Sequence, residues 1–337
     1  PEIPVSQPVT RITLPPRRPA PAPSNPGSGP AASALAGLRV VEVGQLTTAP
    51  LAARHLASFG ADVIKIEPPE GESARAWAPL RDGVSHFFVA SNGEKRSLAL
   101  DLRDAAGAQR LADLLAEADV LVENMKPGTL ARLGFDPRRL AQINPRLVYC
   151  AISGFGVRSV YEGRPAVDTV IQAMSGMMDA TRSNDVPLKT GISTADIAGG
   201  ETGFLAILAA LARRERTGRG GMIDISMQDV AAWMTQSLWN RPADRPIDAP
   251  PPAALPPSTV AEACTHAQTV ARALIVTRTD PEGRSWEVFG SPMRLSATPS
   301  RIGTLIGAPC AGPLAWAPRA PDAHEPAPAR ARTRPLD

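Results

Sequence analysis

Asp196 is the residue whose sequence surroundings point most clearly to chemistry. It lies in the segment 191–200 (GISTADIAGG), at the start of a long apolar stretch that predicts a helix. An aspartate there can simply cap the helix, because its carboxylate accepts from backbone N–H groups that lack partners in the first turn. It can equally act as a nucleophile, since the positive end of the helix dipole keeps the carboxylate ionised. Gly199, Gly200 and Gly203 favour the second interpretation, because they would leave room for a ligand beside this turn.

Asp168 is the second acid of interest, in the segment 164–168 (RPAVD). It also begins a predicted helix, so capping and a role in a site are both open. Histidine chemistry is poorly supported, because only four histidines occur and His55 lies inside a predicted helix, where packing explains it. The sequence contains no GxGxxG, GxxxxGK[ST], GxSxG or HExxH, so no motif indicates a nucleotide, serine-hydrolase or zinc-protease site.

The elements that must position these acids form an alternating pattern. Short β-branched runs alternate with helical patterns between about residues 38 and 240. The predicted strands are 38–43, 61–66, 96–101, 119–123, 147–153 and 222–226, and the predicted helices are 51–59, 105–118, 127–133, 137–143, 168–178 and 197–214. Strands separated by helices predict an α/β fold with a mostly parallel sheet covered by helices on both faces. Ligands bind such sheets at the carboxyl ends of the strands, so we expect the site there.

Proline divides the chain into compact parts and linkers. Of 36 prolines, 24 lie in residues 1–36, 240–258 and 309–337, and each removes a backbone donor and fixes φ. We therefore predict a disordered Pro-rich linker over 1–36, a large domain over 37–240 and a Pro-rich linker over 241–258. A second ordered segment is predicted over 259–308, followed by a disordered tail over 309–337.

Charge and cysteine content exclude several classes of function. The formal net charge of +3 comes from the two terminal segments, so no basic face predicts nucleic-acid binding. Cys150, Cys264 and Cys310 are far apart and form no CxxC pair, which indicates reduced thiols in a cytoplasmic protein and no metal site. The longest apolar run, 203–212, is about half a membrane span, so we expect no membrane association.

Motifs along the large domain resemble those of the class III CoA-transferase family (CaiB/BaiF type), in the same order. They are GLRVVEVG at 37–44, FGADVIKIEP at 59–68, NGEKRSL at 92–98, VENMKPG at 122–128, ISGFG at 152–156, QAMSG at 172–176, TGRG at 217–220 and MQDV at 227–230. The resemblance implies a Rossmann-like large domain and an interlocked homodimer. It implies no cofactor, with coenzyme A serving as substrate.

The resemblance also implies a site. It assigns the catalytic aspartate to Asp196, which would attack an acyl-CoA thioester, become an aspartyl-CoA thioester and pass the CoA to a small carboxylic acid. Matching positions imply nine substrate-binding residues: Leu46, Thr47, Leu100, Arg103, Asn124, Met125, Arg132, Arg164 and Asp168. Leu46 and Thr47 would lie near the thioester. Thr47 replaces a glutamine of some formyl-type members, which argues against oxalate or formate as the acid. For Arg103 a solvated surface charge is an equally simple explanation.

Two departures from the family leave alternatives open. Related racemases use a histidine immediately before the acid aligned with Asp168, and Val167 cannot move a proton, so transfer is favoured over isomerisation. The family's small domain, whose glycine-rich loop closes over the site, is replaced here by the short segment 241–258. An open site would let water reach a reactive intermediate. The alternative function is therefore a catalytically impaired or truncated protein that binds CoA esters.

Overall fold

The computed structural model describes residues 33–238, 259–272, 274–293, 295, 298, 300 and 304–318. Most of the linker expected over 1–36, all of the linker expected over 241–258, and residues 319–337 of the expected tail lie outside these described residues.

The described residues contain ten strands and eleven α-helices, together with two short 3-10 helices, Ser73–Ala76 and Gln236–Leu238. The strands are β1 (Arg39–Val43), β2 (Asp62–Glu67), β3 (Leu80–Arg81), β4 (Val84–Ser85), β5 (Arg96–Ala99), β6 (Val120–Glu123), β7 (Val148–Ser153), β8 (Gly221–Ser226), β9 (Ile275–Thr279) and β10 (Ser285–Phe289). The helices are α1 (Thr48–Ser58), α2 (His86–Asn92), α3 (Ala105–Glu117), α4 (Thr129–Arg132), α5 (Pro137–Ile143), α6 (Asp168–Met174), α7 (Met177–Ala180), α8 (Thr194–Thr217), α9 (Met227–Met234), α10 (Val260–Thr265) and α11 (Ala267–Ala271).

The central sheet has six parallel strands in the order β5-β2-β1-β6-β7-β8. Counted along the chain within this sheet, the order is 3-2-1-4-5-6, the arrangement of a doubly wound Rossmann-type sheet. The predicted parallel sheet is thereby confirmed, and the order reverses between β1 and β6. A crevice for ligands therefore lies where the loops after β1 and β6 diverge.

Helices cover both faces of the sheet, as predicted. Successive strand residues point to opposite faces, so Val40 joins a core with Leu56 of α1 and Ile207 of α8. Its neighbour Val41 joins a second core with Leu111 of α3. All of these side chains are fully buried, and the two cores hold the strand ends in fixed positions.

Helix α8 is longer than predicted, beginning at Thr194 and ending at Thr217 rather than spanning 197–214. Asp196 therefore lies within the first turn and not before it. By length and composition α8 is the one described helix that could cross a membrane, but in this fold it packs on the sheet through buried Phe204 and Ile207. The predicted helix 168–178 is two helices, because Gly176 adopts a left-handed φ of 82° between α6 and α7.

The C-terminal segment returns to the sheet and continues beyond the predicted boundary. Ala99 N–H of β5 donates to the Cys310 carbonyl, and Cys310 N–H donates to the Ser97 carbonyl, both at 3.0 Å. Ala317 N–H donates to the Asp62 carboxylate at 2.9 Å. The predicted start of the disordered tail at residue 309 is thus wrong for 309–318, where backbone pairing to an open strand edge overrides proline content.

Candidate active site

Asp196 lies at the carboxyl end of β1, close to the point where the strand order reverses. The loop after β1 runs from Gly44 to the start of α1, and it brings the Thr47 side chain to the Asp196 carboxylate, where the hydroxyl lowers the pKa of that group. The Asp196 side chain is only partly buried. A carboxylate with one side against the Thr47 loop and one side open can contact a ligand.

Asp168 caps helix α8 from a different helix. Its Oδ1 accepts from the N–H of Ala195 at 2.9 Å and from the N–H of Asp196 at 3.4 Å. The Ser193 side chain makes no capping bond, so Asp168 supplies the acceptor that the start of α8 otherwise lacks. The sequence suggested that Asp196 caps α8 and that Asp168 caps α6. In the structure Asp196 does not cap α8, and Asp168 caps α8 rather than α6.

The other oxygen of Asp168 links two more groups to the site. Its Oδ2 accepts from Nε2 of Gln172 at 2.8 Å and lies 3.2 Å from Nζ of Lys189. Lys189 precedes α8 in the loop after α7, and nothing in its sequence context singled it out. The cation balances the buried Asp168 carboxylate, so Asp168 remains a hydrogen-bond acceptor at the helix start.

Burial and, after it, the neighbouring Asp168 carboxylate raise the pKa of Asp196 from 3.8 to about 6. The Thr47 hydroxyl and the Lys189 ammonium act in the opposite direction. With this pKa, about nine in ten Asp196 carboxylates are ionised at pH 7. Most Asp196 side chains are therefore ionised, and the carboxylate is more basic than an ordinary one. Both properties are those of a nucleophile.

The glycines of α8 serve helix packing, contrary to the interpretation that they leave room for a ligand. A Cβ on Gly200 would lie 2.8 Å from the Thr48 carbonyl oxygen of α1, and one on Gly203 would lie 2.7 Å from Cδ1 of Ile152 on β7. A Cβ on Gly199 would lie 3.2 Å from the Met227 side chain. The space beside these glycines, which the sequence suggested for a ligand, is thus occupied by neighbouring atoms of α1, β7 and Met227.

Asn124, an expected substrate-binding residue, holds the loop after β1. Its Oδ1 accepts from Gln45 N–H at 2.9 Å, and its Nδ2 donates to the Gln45 carbonyl at 2.8 Å and to Oγ1 of Thr48 at 2.7 Å. Leu46, the next expected residue, has a φ of 63°, a left-handed conformation that costs a non-glycine residue about 1–2 kcal/mol. Neighbouring contacts must therefore maintain this loop conformation.

The three arginines expected to bind CoA are exposed and lie apart from Asp196 in their described contacts. Arg103 forms a pair of hydrogen bonds with Asp101 at 2.9 and 3.0 Å, and its side chain is 81% exposed. Arg132 donates to Oγ1 of Thr129 at 2.9 Å, and Arg164 stacks over the Tyr161 ring at 5.4 Å. Their roles toward phosphates stay predictions.

Leu100 and Met125 are half-buried at the other face of the sheet. Met125 lines a cavity of about 100 Å³ that also contains Glu123 and Tyr149. The Tyr149 hydroxyl donates to Glu123 at 3.0 Å, and burial raises the pKa of Glu123 to about 7. Sequence reasoning missed Glu123, although its position at the end of β6 was a signal. Among the described residues no cluster of three His, Cys, Asp or Glu side chains is arranged to bind a metal.

Comparison with known proteins points to one family. The family model described as CoA-transferase family III matches residues 35–251. The acetyl-CoA:oxalate CoA-transferase of Acetobacter aceti is 42% identical over 196 residues, covering 57% of this chain and 50% of that protein. The succinate–glutarate CoA-transferase of Agrobacterium fabrum is 40% identical over 205 residues, covering 58% of this chain and 51% of that protein.

A solved structure of a CAIB/BAIF family protein has a similar fold. A CAIB/BAIF family protein from Brucella suis superposes with a TM-score of 0.74 at 28% identity, covering 82% of this chain and 97% of that chain. The chain spans about half the length of the curated relatives it matches.

Proposed function

Because the chain belongs to CoA-transferase family III, we propose that it moves CoA between an acyl-CoA thioester and a small carboxylic acid through a covalent intermediate on Asp196. The observation that carries this proposal is the Asp196 carboxylate itself. Its pKa is raised to about 6, and it lies beside the Thr47 loop in the first turn of α8, at the carboxyl edge of the sheet. This placement matches the ligand crevice of doubly wound sheets.

The covalent intermediate divides the exchange of CoA between two acids into four simpler acyl-transfer steps. An Asp196 oxygen attacks the thioester carbonyl carbon, the C–S bond breaks, and CoA leaves as a thiolate while a mixed anhydride forms. The thiolate attacks the aspartyl carbonyl carbon and releases the donor acid as a carboxylate, which leaves an aspartyl-CoA thioester. The acceptor carboxylate attacks this thioester and displaces CoA thiolate. The thiolate then attacks the acceptor acyl carbon of the new anhydride and restores Asp196.

Small carboxylic acids are the proposed donors and acceptors. The relatives carry names that include oxalate, glutarate and succinate. We keep the expectation that Thr47 disfavours oxalate and formate. The substrate panel should therefore contain both these acids and longer dicarboxylic acids.

Binding of CoA esters without transfer is the second candidate. It is favoured by the Pro-rich segment 241–258, which stands where the resemblance implies a small domain. A 2-methylacyl-CoA racemase function stays disfavoured, since Val167 replaces the histidine that it would need.

Intact-protein mass after brief exposure to acyl-CoAs tests the proposal. The panel contains acetyl-, succinyl-, glutaryl-, formyl- and oxalyl-CoA, and the Asp196→Ala variant is the control. A mass gain equal to an acyl group or to CoA, lost in the variant, is expected. Retention of CoA-ester binding by a folded protein that forms no adduct with any donor would instead favour the second candidate.

We also propose that the protein is a cytoplasmic homodimer. The location is supported by the three thiols, which are all free cysteines in the structure. The dimer is supported by exposed apolar side chains on α8 and α9: Leu205 is 67%, Trp233 65% and Met234 44% exposed.

A further inference from the structure

Three charged side chains are completely buried next to the loop that carries Thr47. Glu42 lies on β1, Lys65 lies on β2, and Lys95 directly precedes β5. Oε1 of Glu42 is 2.7 Å from Nζ of Lys65, and Oε2 is 2.7 Å from Nζ of Lys95. All three side chains are 0% exposed. We call this arrangement the Lys–Glu–Lys bridge.

Each lysine of the bridge also binds one end of the segment 44–50. Nζ of Lys65 donates to the Gly44 carbonyl at 2.8 Å, and Nζ of Lys95 donates to the Pro50 carbonyl at 2.7 Å. Glu42 joins the two ammonium groups, so the bridge fixes the separation of Gly44 and Pro50. The segment between these two anchors contains Leu46 and Thr47.

Each ammonium group also faces one further oxygen. Lys65 lies 3.0 Å from Oε2 of Glu72, and Lys95 donates to Oδ1 of Asn92 at 2.8 Å. A gain in folding stability does not explain such a network, because the desolvation cost of buried charges offsets their mutual attraction. Well-packed apolar side chains at the same positions often give equal stability. Oε2 of Glu42 lies within ion-pair distance of Lys95 but, like both carboxylate oxygens of Glu72, makes no hydrogen bond. The ion pairs and the two lysine–carbonyl hydrogen bonds nevertheless join β1, β2 and both ends of segment 44–50 in one arrangement.

We propose that Lys65, Glu42 and Lys95 are positioning residues for the transfer reaction, which hold segment 44–50 so that Thr47 remains beside Asp196. The left-handed Leu46 backbone is the reason that the segment needs holding, because a strained residue relaxes unless its surroundings prevent it. The inference rests on the proposed function only in taking Asp196 as the reacting group.

Loss of the bridge has a specific effect on Asp196. When segment 44–50 relaxes, the Thr47 hydroxyl moves away from the carboxylate, and its lowering effect on the Asp196 pKa is lost. The other charged groups facing Asp196 are Asp168 of α6 and Lys189 of the preceding loop, and neither belongs to the bridge. The Asp196 pKa should therefore rise, and kcat should fall with little change in KM.

The test compares Lys95→Met with Arg214→Met in the full chain. Arg214 is a matched control, since it is a buried cation 3.0 Å from Asp119 at the amino end of β6, with no contact to segment 44–50. Both variants lose a buried ion pair, so both are destabilised. The readouts are ¹³C NMR titration of the Asp196 carboxyl, assigned with Asp196→Asn, together with kcat, KM and amide exchange of residues 44–50.

For Lys95→Met we expect the Asp196 titration midpoint to rise by roughly half a pH unit, the value of one hydrogen bond. We expect kcat at pH 7 to fall about tenfold with KM within about twofold, and the amides of 44–50 to exchange faster. Arg214→Met should match wild type in all of these. Equal titration midpoints and loop exchange in the two variants would refute the positioning role.

Glu42→Gln is the second variant, for the case in which Lys95→Met does not fold. It preserves volume and both lysine–carbonyl contacts but weakens the link between the lysines, so it should give a smaller shift in the same direction. No shift in a folded Glu42→Gln protein would also refute the role. If wild type forms no adduct, the proposed function fails, while titration and exchange still decide this inference.

Discussion

At the scale of single residues, burial of the Asp196 carboxylate should cost measurable stability. The folded-state pKa is about 6 against an ordinary 3.8, so the folded protein binds a proton more tightly than the unfolded chain. Stability from this group is therefore present below about pH 4 and is lost as the pH rises through 6. We expect Asp196→Asn, which resembles the protonated form, to be more stable than wild type at pH 7.5 by about 1–2 kcal/mol.

Urea unfolding at pH 7.5 and pH 4.5 measures this difference, and the advantage of Asp196→Asn should shrink at the lower pH. Asp113→Asn on α3 is the control, because Asp113 is exposed and its replacement should change stability little at either pH. An Asp196→Asn protein no more stable than wild type at pH 7.5 would contradict the burial argument.

The sequence identified Asp196 and Asp168 as the acids to consider, because each stands near a predicted helix start. It did not predict that Asp168 caps the helix of Asp196, since this bond joins residues that only the packing of α6 on α8 brings together. Lys189 escaped notice for the same reason, since its partner Asp168 is distant along the chain. The end of β6 did mark the position of Glu123, but its pairing with the distant Tyr149 could not be predicted.

At the scale of elements, the contact of α8 with α1 sets the distance between Asp196 and Thr47. Alanine normally favours a helix over glycine by about 1 kcal/mol, yet we expect Gly200→Ala to destabilise the protein by about 1–3 kcal/mol. Its new methyl group would lie 2.8 Å from a backbone carbonyl oxygen that cannot move independently of α1.

Gly203→Ala provides the comparison for this prediction. The new methyl group would meet the end of the Ile152 side chain, which can change rotamer, so the loss of stability should be smaller than for Gly200→Ala. Thermal unfolding of the two variants checks the order. A Gly200→Ala protein as stable as wild type would show that α8 and α1 are not tightly packed there.

The C-terminal segment is an element whose role can be tested by removing one hydrogen bond. Cys310→Pro eliminates the N–H that donates to Ser97, so residues 304–318 should detach from β5. We expect faster amide exchange across Arg96–Ala99 and a loss of about 1–2 kcal/mol in stability. Cys310→Ala keeps the backbone bond and should behave as wild type; equal exchange in both variants would contradict the pairing.

Strand and helix positions could largely be predicted, because β-branched runs and amphipathic patterns are local signals. The strand order could not, since no local pattern states which strand lies beside which. Helix 168–178 was expected as one element because the break at Gly176 depends on a left-handed φ that a single glycine permits but does not require.

At the scale of the whole molecule, the exposed apolar side chains of α8 and α9 predict self-association. Leu205 and Trp233 expose about two thirds of their surface, at 67% and 65%. We expect light scattering to give the mass of a dimer, and Leu205→Glu with Trp233→Glu to give a monomer, because a buried charge at an interface is costly. Arg219→Glu on the exposed turn after α8 is the control for added negative charge. A monomeric wild type would refute the dimer.

The cap that Asp168 supplies to α8 has a consequence for protein engineering. The start of α8 is fixed from α6, and the loop between α7 and Lys189 is exposed and closes on itself, with Ser183 and Val186 paired. A short reporter peptide inserted between Asn184 and Asp185 would thus extend from an exposed turn while the cap on α8 and the position of Asp196 stay unchanged.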